Sequence, residues 1–232
     1  LVHRTVAEAF EAQVISDFCE SYRCARTPNP CILCNPQIKF KTMQEEANRI
    51  GAAWLATGHY ARTGRGTAGA AEGAKITEAA KAMEVAERAE DAARLCMARC
   101  RRKDQSYMLY RLPQDILQRL LLPLGEVADK EQVRDRVRQS GIFNADAADS
   151  QEICFIPDGD YISYLKERGI SSCPGDFIDC KTGEVLGKHR GIIHYTVGQR
   201  KGLGMTFGKP MFVTKLDHKN NTVTLGDNEA LF

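Results

Sequence analysis

"RTPNPCILCNPQIKF", residues 26–40, sets two cysteines three positions apart between two Asn-Pro pairs. Pro28 and Pro30 push Thr27 and Asn29 out of the α region, so any helix before them has ended and the chain runs extended. Asn35 followed by Pro36 reads as an N-cap with proline at the first helical position, opening a helix to about Ile50. That places Cys34 just before the positive end of a helix dipole, where thiolate is favoured over thiol. Three readings of the Cys31–Cys34 pair stand at this point: a metal clip, a reactive thiol, or small buried sulfur in a rigid turn.

Upstream, Val6, Phe10, Val14, Phe18 and Tyr22 recur every four positions and predict an amphipathic helix that begins almost at the first residue. The chain therefore reads as starting inside a longer protein. Downstream, "AAWLATGHYA" predicts a short buried strand ending at Gly58-His59. Helix, strand and a glycine at the strand's end suit the edge of an α/β sheet, where ligands sit at the carboxyl ends of strands. A lone histidine such as His59 is a bonded structural group as readily as a ligand.

Residues 63–98 are rich in Ala, Gly and Glu and read as an exposed insertion, its second half helical, with Cys96 and Cys100 sharing a face at a spacing of four. From Lys103 to Gly169 the pattern is helical: "DILQRLLLPLG", "DKEQVRDRVRQSG" with Asp129 and Gln132 in capping-box register, and "DYISYLKERG". Cys154 lies among Ile153, Phe155 and Ile156 and reads as core. From Ser171 the period shortens, and "GDFIDCKTGEVLG", "GIIHYTVGQ" and "MFVTKLDHKNNTVTLG" predict β-ribbons joined by Gly and Asn turns.

At 232 residues, 43% hydrophobic and 27% charged, the composition is globular. No apolar run approaches the roughly 20 residues of a spanning helix, and the first residues lack a signal-peptide layout, so a cytoplasmic location and no membrane partner are expected. Nine cysteines are too few and too irregular for a secreted disulfide scaffold. The net charge is only +2, but positive residues bunch at Arg99–Lys103, Gly187–Arg190 and Gly198–Gly202. A solvated face and phosphate contact are both open readings of such clusters. "GQRKGLG" matches neither a Walker loop nor a dinucleotide fingerprint.

Taken in order, "RTPNPCILCNPQIKF", "ATGHYAR", "RKDQSYMLY", "DSQEICFIPDGDYISYL" and "HYTVGQRKGLG" closely resemble the tRNA-specific 2-thiouridylases over nearly the whole chain except about 63–98. These ATP-dependent sulfurtransferases replace O2 of the wobble uridine by sulfur. The resemblance implies an α/β remnant of a PP-loop ATP-pyrophosphatase domain with the cysteine loop (1–62), the insertion (63–98), a helical tRNA-binding middle domain (99–170) and an incomplete C-terminal β-barrel (171–232). The family's Ser-Gly-Gly-Val-Asp-Ser phosphate loop has no match here, and the expectation from the resemblance is that this chain is a truncated portion, inactive alone.

By motif position the resemblance implies Cys34 as the persulfide cysteine and Cys154 as the one that resolves the disulfide. Gly58 matches a nucleotide-contacting glycine for ATP with Mg2+. Asn29, Pro30 and Cys31 match the stretch that meets the target base; His59, Lys103, Asp104 and Gln105 match tRNA-contacting positions, and Arg200 and Lys201 are assigned to phosphates. Many members carry Asp where this chain has Cys31, so no acid/base role transfers to it. Cys31, Cys34 and Cys154 could instead hold three irons of a [4Fe-4S] cluster. The implied partners are tRNA and a sulfur-donor protein, a cysteine desulfurase or relay carrier. The alternative from another class is a non-catalytic zinc- or RNA-binding module.

Overall fold

The computed structural model describes residues 1–65, 92–141 and 153–231. Its contacts divide the chain into two units, one of residues 1–7 and 31–149 and the other of 8–30 and 150–232.

The chain from Pro30, the last residue of the second unit's first segment, to Ile50 in the first unit is helical throughout: α3 (Pro30–Cys34), a π-helical stretch (Asn35–Phe40) and α4 (Lys41–Ile50). The expectation that a helix opens at Asn35 is corrected. Pro30, not Pro36, takes the first helical position, and Cys34 has ordinary helical dihedrals (φ −59°, ψ −42°). Pro36 has no N–H to donate and its ring crowds the carbonyl four residues back; a widened π turn is the usual way a helix absorbs such a residue. Gly51, at φ 70°, ends α4 with the Ala52 N–H returning to the Ala47 carbonyl at 2.8 Å, a Schellman closure.

β1 (Leu55–Ala56) pairs in parallel with β4 (Leu120–Leu121), and β2 (Ala61–Arg65) pairs antiparallel with β3 (Ala93–Met97). Two expectations change here. "DILQRLLLPLG" forms only the short helix α5 (Gln114–Leu117) before turning into β4. Cys96 lies on a strand, so its spacing from Cys100 sets no helical face; both ends of the proposed insertion are strand, in β2 and β3, and its residues 66–91 fall outside the described residues. Gly125, after β4, is required by a close approach, since a Cβ there would lie 2.0 Å from the Ala61 carbonyl oxygen. The core gathers Phe40, Leu55, Ala61, Leu109, Leu112, Ile116 and Leu120. Beyond it α6 (Lys130–Gln139) starts as expected at Asp129, whose carboxylate accepts from the Glu131 N–H.

The second unit begins with α1 (Ala7–Phe10), a π stretch (Glu11–Ile15) and α2 (Ser16–Arg23); α1's first residue, Ala7, still groups with the first unit. The four-residue period is borne out, with Val14 and Phe18 fully buried and Tyr22 nearly so. Phe18 meets Phe155 edge-on at 5.3 Å, and Tyr22 stacks at 5.2 Å on Tyr161 of α7 (Tyr161–Glu167). The sheet runs β6-β5-β8-β7, built from β5 (Gly175–Asp179), β6 (Val185–His189), β7 (Phe212–Asp217) and β8 (Thr222–Gly226). The hairpins β5-β6 and β7-β8 are antiparallel and join through the parallel pair β5-β8. The described strands do not close into a barrel, and "GIIHYTVGQ" gives a 3-10 turn at Ile192–His194 rather than a ribbon.

Candidate functional site

Cys31 and Cys34 lie at the two ends of one helical turn, Cys31 half-buried and Cys34 buried at 7% exposure. The dipole argument made for Cys34 does not hold, because that residue lies within the helical segment; it is Cys31 that occupies the first turn. Asn35 does not cap. Its side chain, 1% exposed, donates from Nδ2 to the Met108 carbonyl oxygen at 3.0 Å, a link across 73 residues. Its Oδ1 is buried with no partner among the described residues. The helix that carries Cys34 is thereby fastened to the "KDQSYMLY" turn.

That turn is rigid for reasons internal to it. Asp104 accepts from the Ala98 N–H through Oδ1 at 2.6 Å and from the Ser106 hydroxyl through Oδ2 at 2.7 Å. Gln105 brackets Tyr60, donating its N–H to the Tyr60 carbonyl at 2.7 Å and accepting the Tyr60 N–H on Oε1 at 2.9 Å. The side-chain oxygens of Asp104 and Gln105 are therefore engaged in holding the turn. Lys103, half-buried, and the exposed Arg101 and Arg102 supply its positive charge, with Arg101 also reaching the Met97 sulfur at 2.7 Å.

Gly58 is exposed beyond β1, and its neighbours Thr57 and His59 line a groove of about 520 Å³ whose walls include Ile38, Phe40, Met43 and Trp54. His59 stacks on Phe40 at 5.8 Å, and its Nδ1 meets the Thr57 hydroxyl at 2.9 Å. Burial, and then the nearby Lys39 charge, push the His59 pKa below its ordinary value, so the imidazole is neutral near pH 7. It is at once a structural and a groove-lining residue.

In the second unit Cys154 is exposed. Its apolar neighbours suggested core, but only Ile156 among them is fully buried. Arg200 and Lys201 are exposed on a turn that Gln199 staples, its Oε1 accepting from the Thr196 N–H at 3.0 Å and its Nε2 donating to the Lys201 carbonyl at 2.9 Å. Asn29 is exposed and Pro30 half-buried. Among the described residues no three His, Cys, Asp or Glu side chains are grouped so as to hold a metal ion; of the cysteines assigned to a cluster, Cys31 and Cys34 lie in the first unit and Cys154 in the second. No helix among them is long and apolar enough to cross a membrane.

Sequence reasoning missed the long-range role of Asn35, because a residue before proline reads as a cap, and it passed over Tyr107 and Tyr110, which are 54% and 64% exposed. The signal for those two was present: aromatics interleaved with basic residues.

Two family models match the chain, the tRNA methyl transferase HUP domain over residues 2–158 and the tRNA methyl transferase PRC-barrel domain over residues 162–227. Among curated proteins it is similar to the tRNA-specific 2-thiouridylase MnmA of Carboxydothermus hydrogenoformans (44% identity over 230 residues) and to that of Clostridioides difficile (42% over 228), each match covering 97% of this chain and 56% of the relative. The protein of the same name from Acetivibrio thermocellus is 41% identical over 228 residues. The chain thus spans just over half the length of these curated relatives.

Proposed function

The chain belongs to the family of these tRNA methyl transferase HUP and PRC-barrel domains, and on that premise we propose that it is the sulfur-delivery and RNA-contact portion of a tRNA-uridine 2-sulfurtransferase. The observation that carries the reading is the Asn35 bond to Met108, which ties the cysteine helix to a basic, internally braced turn within one unit. A thiol that must pass sulfur to a base needs its RNA contacts held in fixed relation to it.

In this reading ATP adenylates O2 of the uridine, releasing pyrophosphate. The terminal sulfur of a persulfide on Cys34 attacks C2 and expels AMP. Cys154 thiolate then attacks the Cys34 sulfur, leaving thiouridine and a Cys34–Cys154 disulfide that an external thiol reduces. The exposure of Cys154 suits a resolving role. The groove beside Gly58 has the size for a purine and largely apolar walls, with Arg4, Lys39, Thr42, Glu46, Thr57 and His59 as its polar lining and Arg4 paired to Glu46 at 3.4 Å. The sequence contains no Ser-Gly-Gly-Val-Asp-Ser loop to hold the triphosphate, so this chain alone is proposed not to turn over ATP. Lys103, Arg200 and Lys201 meet tRNA phosphates, while Asp104 and Gln105 keep their turn in shape. No step is derived through an iron-sulfur cluster, and the zinc-module alternative has no ligand group among the described residues in its favour.

Incubation with a cysteine desulfurase and cysteine, followed by peptide mass analysis, tests the cysteine assignment. One added sulfur is expected on Cys34, lost in Cys34→Ser and retained in Cys154→Ser and Cys31→Ser. Sulfur loaded mainly on another cysteine overturns it, and uridine thiolation by this chain alone overturns the inactivity.

A further inference from the structure

The turn from Arg99 to Leu112 carries two tyrosines that no step above uses. Its backbone is a succession of 3-10 turns, with the Met108 N–H bonded to the Gln105 carbonyl, Leu109 to Ser106 and Leu112 to Leu109. At three residues per turn, positions i and i+3 eclipse. Leu109 and Leu112, joined by such a bond, are buried at 0% and 5% exposure in the unit's core, while Tyr107 and Tyr110, three apart on the same turn, stand 54% and 64% exposed. The two rings stand on a turn that Asp104, Gln105 and Asn35 all brace.

Leaving two large rings exposed three residues apart on one braced turn is costly unless something covers them, and the residues flanking them indicate what does. Arg99, Arg101, Arg102 and Arg111, which flank the pair along the chain, are exposed, and the turn's one carboxylate, Asp104, is engaged by Ala98 and Ser106. An apolar protein segment would leave these guanidiniums unanswered. A polyanion bearing flat π faces answers both the charge and the rings, and of the nucleic acids only unpaired nucleotides offer free faces. Resting on the reading of the chain as an RNA-contacting sulfurtransferase portion, we propose that Tyr107 and Tyr110 form a stacking platform for unpaired loop nucleobases, with the flanking arginines on their phosphates. Because Met108, between the two tyrosines, is the residue Asn35 holds, bases stacked there are presented beside the cysteine helix. The platform selects looped over paired RNA, a discrimination that phosphate contacts alone do not supply.

The test measures binding of two synthetic RNAs to the full chain: a hairpin with a seven-nucleotide loop carrying 2-aminopurine, and a blunt, fully paired duplex of equal charge. The expected results are 2-aminopurine quenching on binding and at least about a fivefold loss of loop affinity in Tyr107→Ala or Tyr110→Ala, the lower end of what one base-aromatic stack contributes. Duplex affinity should change less than twofold, and Tyr→Phe at either site should retain both quenching and affinity. Equal losses on loop and duplex, unchanged loop affinity, or no rescue by Phe overturns the platform. A separate arm keeps the underlying reading distinguishable. If Arg101→Ala/Arg102→Ala weakens both RNAs while the tyrosine variants do nothing, RNA contact stands and the platform falls; if wild-type chain binds neither RNA, the underlying reading and the platform fall together.

Discussion

The two units differ in how completely each closes its own core. In the second, a four-stranded sheet and two helical segments bury Phe18, Leu165, Phe177, Val213, Val223 and Leu225 to 2% exposure or less, and the buried His189 has both ring nitrogens bonded. In the first, the sheet is two separate pairs, β1 and β4 contribute two residues each, and Ile50 and Trp54 stand exposed at an apolar groove. The buried side chain of Asn35 leaves an acceptor unpaired among the described residues. Yet Cys34 and the braced basic turn belong to the first unit. Stability is concentrated where the proposed chemistry has fewer residues, and local opening is expected first around the groove.

Core truncations test this contrast most strongly. Phe177 is fully buried and touches the rings of His189, Tyr195 and Phe207 at 5.3–5.8 Å, so Phe177→Ala opens an enclosed cavity. A loss of about 5 kcal/mol is expected, read by hydrogen exchange as faster exchange confined to residues 8–30 and 153–231. Phe40→Ala in the first unit should cost less, about 3 kcal/mol, because Phe40 already borders open space in the groove. Equal costs would break the comparison.

Asn35→Ala sharpens it at the next level. The substitution strips the Met108 carbonyl of its donor but also removes the unpaired Oδ1, and the two changes partly offset. A net loss of about 1 kcal/mol is expected, with exchange accelerated at 105–112 while the second unit is unchanged. Should the turn keep its protection, Asn35 does not fasten it.

Much of this was legible in the sequence, and the misses have physical causes. The period of Val14, Phe18 and Tyr22 identified a buried helical face, but periodicity does not say which core a face joins, and this one joins the core formed by residues after 153. Asp129 and Asp160 cap their helices because an Asx side chain reaches only local N–H groups, a short-range property that a sequence displays. Asn35 has the same chemistry, yet its donor meets a carbonyl 73 residues away, and no local pattern encodes that. Pro36 was read as a helix start because a π turn that tolerates an internal proline leaves no compositional mark. The end of α2 shows the converse: Ala25 adopts φ 52° and Arg26 closes on Ser21 at 2.8 Å, a Schellman end without its customary glycine. For the candidate site, the cysteines and the basic cluster were legible by type and order. The engagement of Asp104 and Gln105 inside the turn, and the exposure of Tyr107 and Tyr110, depend on which side of a 3-10 row faces the core.

The smallest expected effect is a pH response that should separate the units by degree. His189 accepts the Gly191 N–H on Nδ1 at 3.1 Å, so its proton is on Nε2, 3.0 Å from the Asn221 carbonyl oxygen. Burial pushes its pKa below the ordinary 6.5, against the smaller opposing pull of that carbonyl and of Asp176. His194 in the same unit is shifted the same way, by burial and then by Arg190 and Lys166. Below about pH 6.5 the unfolded chain takes protons that these folded imidazoles refuse, so acid favours unfolding; their contribution is intact above pH 6.5 and is lost as pH falls through the folded values. One such histidine can cost at most about 0.7 kcal/mol between pH 7 and pH 6. Urea unfolding followed by exchange in each unit should therefore show the second unit losing more than the first, since among the described groups the first has only His59 shifted in this direction. His194→Gln should lower the second unit's slope, leaving the part that His189 sets. A slope unchanged in that variant, and equal in the two units, would mean that other groups set the acid response and that burial of His189 plays no part in it.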